Sequence, residues 1–189
     1  MKNYIPSSFF QNDINRLYII VNSLFQDKVD KAGSPYINHC SFVAFNAYKL
    51  ALMYSQNFEF ADMCYIVGLC HDIMEDCDDD QVKVLINFIK DTWEDDINTS
   101  KLIIDSIKVL TKRDGEKYSE YFERVKIHPI ARIVKCADAL HNSNITRFNQ
   151  RQISEYSQSG ELDALIKRCK KYHKRYEKLV SAIEQYYKE

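Results

Sequence analysis

An apolar rhythm of three and four residues runs through almost the whole chain, and it leaves little room for anything but helices. It is clearest after Gly160, where Leu162, Leu165, Ile166, Cys169, Tyr172, Tyr176, Leu179, Val180 and Ile183 keep one stripe. Ile14, Leu17, Ile20, Val21 and Leu24 repeat it. So, after Pro35, do Phe42, Val43, Phe45, Ala47, Leu50, Ala51 and Met53. Only 4 glycines and 3 prolines interrupt 189 residues, so turns are few and elements long. No strand pair, repeat or low-complexity tract stands out.

The expectation is an all-α single domain over residues 1–189, a bundle of about eight helices. The first runs from about Asn12 to Phe25, the second follows Pro35, and the third carries His71 and Asp72. Asp80 caps the fourth, with Val84, Leu85, Phe88 and Ile89 apolar. Leu102, Ile103, Ile107 and Leu110 mark the fifth, and Tyr118 to Val125 the sixth. Pro129 opens the seventh, striped by Ile130, Ile133, Val134, Ala137 and Leu140. The last, about 161–186, is too short a stripe for a coiled coil and is expected to pack on the domain.

A net charge of −1 gives no global field toward nucleic acid or membrane, and no basic stripe with interleaved aromatics is expected. No apolar run approaches the roughly 18–20 residues that span a bilayer. Segment 1–6 lacks the apolar core of a signal peptide. Cys40, Cys64, Cys70, Cys77, Cys136 and Cys169 form no CxxC pair. They read as reduced thiols of a cytoplasmic protein, and a thiolate zinc site is not expected. The sequence does not give an oligomeric state.

Cys70-His71-Asp72-Ile73-Met74-Glu75-Asp76 places four ionisable side chains at the end of an apolar run. Ala61, Cys64, Tyr65 and Gly68 form a helical stripe that continues into His71, Asp72 and Glu75. Clustered carboxylates repel, and burying them unpaired costs several kcal/mol. A divalent cation removes that cost. The competing reading is a solvated acidic helix end running into Asp78-Asp79-Asp80. Two further pieces oppose it. Lys31-Ala32-Gly33-Ser34-Pro35-Tyr36-Ile37-Asn38-His39 delivers a histidine to a helix start. Lys135-Cys136-Ala137-Asp138-Ala139-Leu140-His141-Asn142 sets Asp138 beside a core stripe, with Asn142 one turn later. Taken alone, His39 reads as a capping or core histidine and Asp138 as a buried salt-bridge partner. Two imidazoles and two carboxylates together suit Mn²⁺, Fe²⁺ or Zn²⁺, with positions left for water and a substrate oxygen.

The order His…His-Asp…Asp resembles the HD-domain metal-dependent phosphohydrolases. SPYINH, HDIMED and KCADALHN together are similar to the hydrolase domain of RelA/SpoT-type enzymes and their small stand-alone relatives, over roughly Phe25 to Arg147. The resemblance implies an HD-domain helical bundle that removes the 3′ pyrophosphate of (p)ppGpp with Mn²⁺. It puts the metal ligands at His39, His71, Asp72 and Asp138, and the acids that assist the attacking water at Glu75 and Asp76. Asn142 falls near the nucleotide, and Tyr36 and Lys31 border its pocket. Lys28, Lys31 and Arg147 are candidate phosphate contacts, each also readable as a solvated cation. The family loop Arg-Arg-Lys-Asp is thinned here to Asp27-Lys28-Val29-Asp30-Lys31, and Cys40 replaces the proline after the first ligand. The alternatives are an HD phosphohydrolase for another nucleotide or phosphoester, and a nucleotide-binding regulator without turnover.

Overall fold

The structure, a computed structural model, describes residues 8–188. The signal-peptide reading of segment 1–6 falls outside them. The described residues form ten α-helices and no named strand. They are α1 (Ser8–Leu24), α2 (Tyr36–Ser55), α3 (Phe58–Cys70), α4 (Ile73–Asp76), α5 (Asp79–Thr92), α6 (Ile97–Leu110), α7 (Tyr118–Ile127), α8 (Pro129–Ser143), α9 (Gln150–Gln158) and α10 (Leu162–Lys188). A 3₁₀ turn, Ile145–Arg147, links α8 to α9.

α2, α3 and α8 pack on one another, and α10 lies along α8. The long final stripe is thus a bundle helix, with Leu165, Leu179 and Ile183 buried. α2 meets α3 through small residues: Cys40, Ala44, Ala47 and Ala51 are fully buried. A Cβ on Gly68 would sit 2.8 Å from the Ala44 Cα, so only glycine permits this approach. Phe45 and Met53, counted in the apolar stripe, face outward instead, 57% and 62% exposed.

Three expectations need correction. Asp78, not Asp80, caps α5: its carboxylate accepts the Gln81 N–H, and the Gln81 side chain accepts the Asp78 N–H. Asp80 lies inside the first turn, paired with Lys83 at 2.8 Å. The third helix ends at Cys70, so His71 and Asp72 sit in a break before the four-residue α4. α9 has no counterpart among the helices expected from sequence. It is polar, started by an Asn149–Gln152 capping box, and its apolar residues Ile153 and Tyr156 are buried in part. Those two join Ala32, Phe148, Leu165 and Cys169 in a small second core. The Gln152 amide also donates to the Ala32 carbonyl at 2.6 Å, tying α9 to loop 27–35. All six cysteines are free. No helix among the described residues is long and apolar enough to cross a membrane.

Candidate metal centre

The break after Cys70 is what lets neighbouring residues share a target. On a continuous helix adjacent side chains diverge by about 100°. At Asp72 the backbone turns to φ −101°, ψ 0°, the sparsely populated bridge between helix and strand. The Asp72 Oδ2 then lies 2.8 Å from the His71 Nε2. His71 is 1% exposed, and its Nδ1–H donates to the Gly68 carbonyl at 2.8 Å. That bond fixes the tautomer and leaves an Nε2 lone pair facing the cluster. The Nε2 is buried and makes no well-formed hydrogen bond, despite its closeness to Asp72.

α2 brings His39 and α8 brings Asp138 to the same point. The His39 Nε2 is 3.5 Å from both Asp72 Oδ2 and Asp138 Oδ1. Ligand atoms of His39, His71 and Asp72 all lie within 4.8 Å of one another. The Tyr36 hydroxyl donates to Asp72 Oδ2 at 2.6 Å, and burial together with Asp72 pushes its pKa up, so it stays a donor. Lys135 pairs with Asp138 Oδ2 at 2.8 Å. The Asn142 amide donates to Asp138 Oδ1.

The electrostatics describe a centre short of positive charge. Burial opposes ionisation of both aspartates, yet the pKa of Asp72 is held well below the ordinary range by His71 and His39. That of Asp138 is lowered against burial by Lys135, His71 and His39. Burial works against an imidazolium at His71, but Asp72 and then Asp138 outweigh it and raise its pKa. Without a metal, a proton is drawn to the place a cation would take.

Behind His39 runs a chain of contacts that sequence reasoning missed. The His39 Nδ1 is 2.8 Å from the His141 Nδ1, and the Arg147 guanidinium is 2.7 Å from that same His141 nitrogen. A guanidinium only donates, so the His141 Nδ1 is an unprotonated acceptor. The His39 Nδ1 must then carry its proton, which frees the His39 Nε2 lone pair for the centre. Burial, His39 and Arg147 push the His141 pKa down to about 4, so it stays neutral. Arg147 is also 3.7 Å from Asp30. A signal for this chain exists in the sequence: Lys135, Asp138, His141 and Asn142 share one helical face. Spacing alone assigns His141 and Lys135 no role.

The remaining expected residues border a cleft of about 400 Å³ above the centre. Glu75 lies at its edge, its Oε1 accepting the Lys112 N–H at 2.7 Å. Asp76 is exposed and paired with Lys28 at 3.2 Å, and Lys28 also donates to the Asp76 carbonyl. Lys31 is exposed, its pKa lowered by burial and by Arg168 and Arg147 nearby. Thus Lys28 and Arg147 line the cleft with hydrogen bonds already committed, and Lys31 lines it beside them.

The donor set fits a divalent ion: two buried imidazoles, each presenting a lone pair, and two carboxylates held ionised. A family model described as HD domain matches residues 36–143, more than half of the chain. The chain belongs to the HD-domain family. No curated protein matches it. As an HD-domain protein with His39, His71 and Asp72 placed to hold a metal, it is a metal-dependent phosphohydrolase.

Proposed function

We propose that this HD-domain protein is a nucleotide phosphohydrolase of the (p)ppGpp type, releasing the 3′ pyrophosphate with Mn²⁺ as its ion. The observation that carries the reading is the placement of the donor set at the floor of a cleft bordered by Lys28, Lys31 and Arg147. The SPYINH, HDIMED and KCADALHN blocks, which resemble RelA/SpoT-type hydrolases, supply the substrate class.

In this reading His39, His71, Asp72 and Asp138 hold the ion. When bound, the ion would supply Lewis acidity, lowering the pKa of a water and offsetting phosphoryl charge. Tyr36 and Lys135 hold Asp72 and Asp138 in place and ionised. Glu75 and Asp76 take the proton from the attacking water, Glu75 fixed in direction by the Lys112 N–H. Lys31 and Asn142 face the nucleotide. Lys28 orients Asp76 as well as meeting phosphate.

Glu75→Gln and Asp76→Asn keep shape and remove charge. We expect kcat to fall by roughly 10²–10⁴-fold with metal retained. Loss of metal, with turnover restored by excess Mn²⁺, would reassign these acids to holding the centre together. Incubation with ppGpp and Mn²⁺ should release GDP and pyrophosphate. No turnover of ppGpp beside rapid turnover of another nucleotide would overturn the alarmone assignment and leave the phosphohydrolase standing.

One observation favours a second substrate. Lys28 is committed to Asp76 and Arg147 to His141, and Asp30 adds a carboxylate to the wall. Each missing charge-assisted hydrogen bond to phosphate costs on the order of 1.5–3 kcal/mol. A nucleotide with fewer phosphates asks less of such a wall, and a nucleotide panel assayed with Mn²⁺ separates the two.

A further inference from the structure

Whole-chain charge balance hides a segregation on α10. Lys167, Lys170, Lys171, Lys174, Arg175 and Lys178 line one side of a groove of about 680 Å³ between α7 and α10. The five lysines are exposed and have no ion-pair partner among the described residues. Four pairs, 167/171, 170/174, 171/175 and 174/178, set like charges one turn apart, an arrangement that weakens a helix. Glu123 is the one acid lining the groove, and it is paired with Lys126.

Tyr118 and Phe122 also line the groove. The half-buried Arg175 guanidinium lies 3.9 Å from the centre of the Tyr118 ring and 5.0 Å from that of Tyr172, a cation held among tyrosines. Phe122 is buried, so the exposed Tyr118 ring and the Arg175 guanidinium are the planes that stand beside the row of cations, and together they match a ligand that alternates bases with phosphates. The cations span about 16 Å along α10, at 1.5 Å per residue. Repetition on successive turns suits a chain of phosphates better than one phosphate cluster, which needs groups that converge. The groove is concave, so a flat bilayer would meet its edges and miss its floor.

We propose that the α7–α10 groove binds single-stranded nucleic acid. None of its lining residues borders the 400 Å³ cleft, and a cavity of about 510 Å³, lined by Glu75 and Lys135 on one side and Tyr118 and Arg175 on the other, lies between the two.

The test is fluorescence anisotropy of the full chain with a labelled oligouridylate of about 20 nucleotides, titrated with salt. Binding should appear at low salt and weaken with a log–log slope of about −3, as four or five phosphate contacts on a single strand require. Lys170→Gln with Lys174→Gln should weaken binding by roughly 10-fold and flatten the slope by about 1.4. Hydrolase activity and circular dichroism should not change, which separates a local effect from unfolding. No binding at low salt, or binding indifferent to the double substitution, overturns the proposal. So does UTP competing as well per phosphate as the oligonucleotide, which would make this a small-nucleotide site. Equal binding of poly-glutamate or of phosphatidylserine vesicles would show a surface for anions in general and would also overturn it.

Discussion

The floor of the cleft and its rim are built from different material. His39 and Asp138 are locked into α2 and α8, and His71 is held through Gly68 at the end of α3; all three are at most 4% exposed. Lys28, Lys31, Glu75 and Asp76 stand on a loop and a four-residue helix, open to water, with Lys28 and Asp76 joined by a surface pair. Packing and hydrogen bonds therefore hold the side chains of the floor in place. The rim has the Lys28–Asp76 ion pair and the Glu75–Lys112 backbone contact, and a half-exposed ion pair contributes little and is screened by salt. In the proposed reading, the difference assigns metal affinity to the core and substrate choice to the loops.

Substitutions at the two levels should therefore differ in kind. The largest effect is expected from Asp138→Asn, which strips Lys135 and both histidines of a buried counter-charge. Breaking such a pair typically costs about 3–5 kcal/mol. Chemical denaturation should show that loss together with loss of bound metal. His141→Ala should weaken metal binding by roughly 10–100-fold, as loss of an outer partner of a ligating histidine does. His141→Gln, which restores an acceptor for the His39 proton, should recover part of it in the same metal titration.

pH gives a third contrast. The folded pKa of His71 is raised above its unfolded value, so in metal-free protein its contribution is present below that unfolded value and is lost as pH rises through the folded one. Metal must displace the same proton, so metal affinity should rise over the same interval. Melting curves with and without chelator should diverge as pH increases; parallel curves would contradict the placement of His71. At the rim, Lys28→Ala should raise KM by roughly 10-fold, as loss of one charge-assisted contact to phosphate requires, and move stability by less than about 0.5 kcal/mol.

The same contrast governs how much can be read from the sequence. The helical stripes set the architecture, because burial of one face leaves a period. The donor residues stand out because histidine and carboxylates interrupt those stripes. The break at His71 is not legible: it rests on the Gly68 carbonyl and the Tyr36 hydroxyl, contacts that helical periodicity cannot show. Nor is α9, whose polar face hides two anchors, Ile153 and Tyr156, in a core assembled from distant residues. The commitment of Arg147 to His141 and Asp30 is equally invisible, since a lone arginine past a helix end reads as solvated. The basic side of α10 is present in the sequence, but whole-chain charge masks it.

The central claim is that His39, His71, Asp72 and Asp138 converge to hold one divalent ion. Elemental analysis of wild-type protein and Asp72→Ala, both purified without chelator, tests it most directly. The account predicts close to one metal per chain in the wild type and almost none in the variant, with circular dichroism unchanged. Equal metal content in a folded Asp72→Ala protein would contradict it.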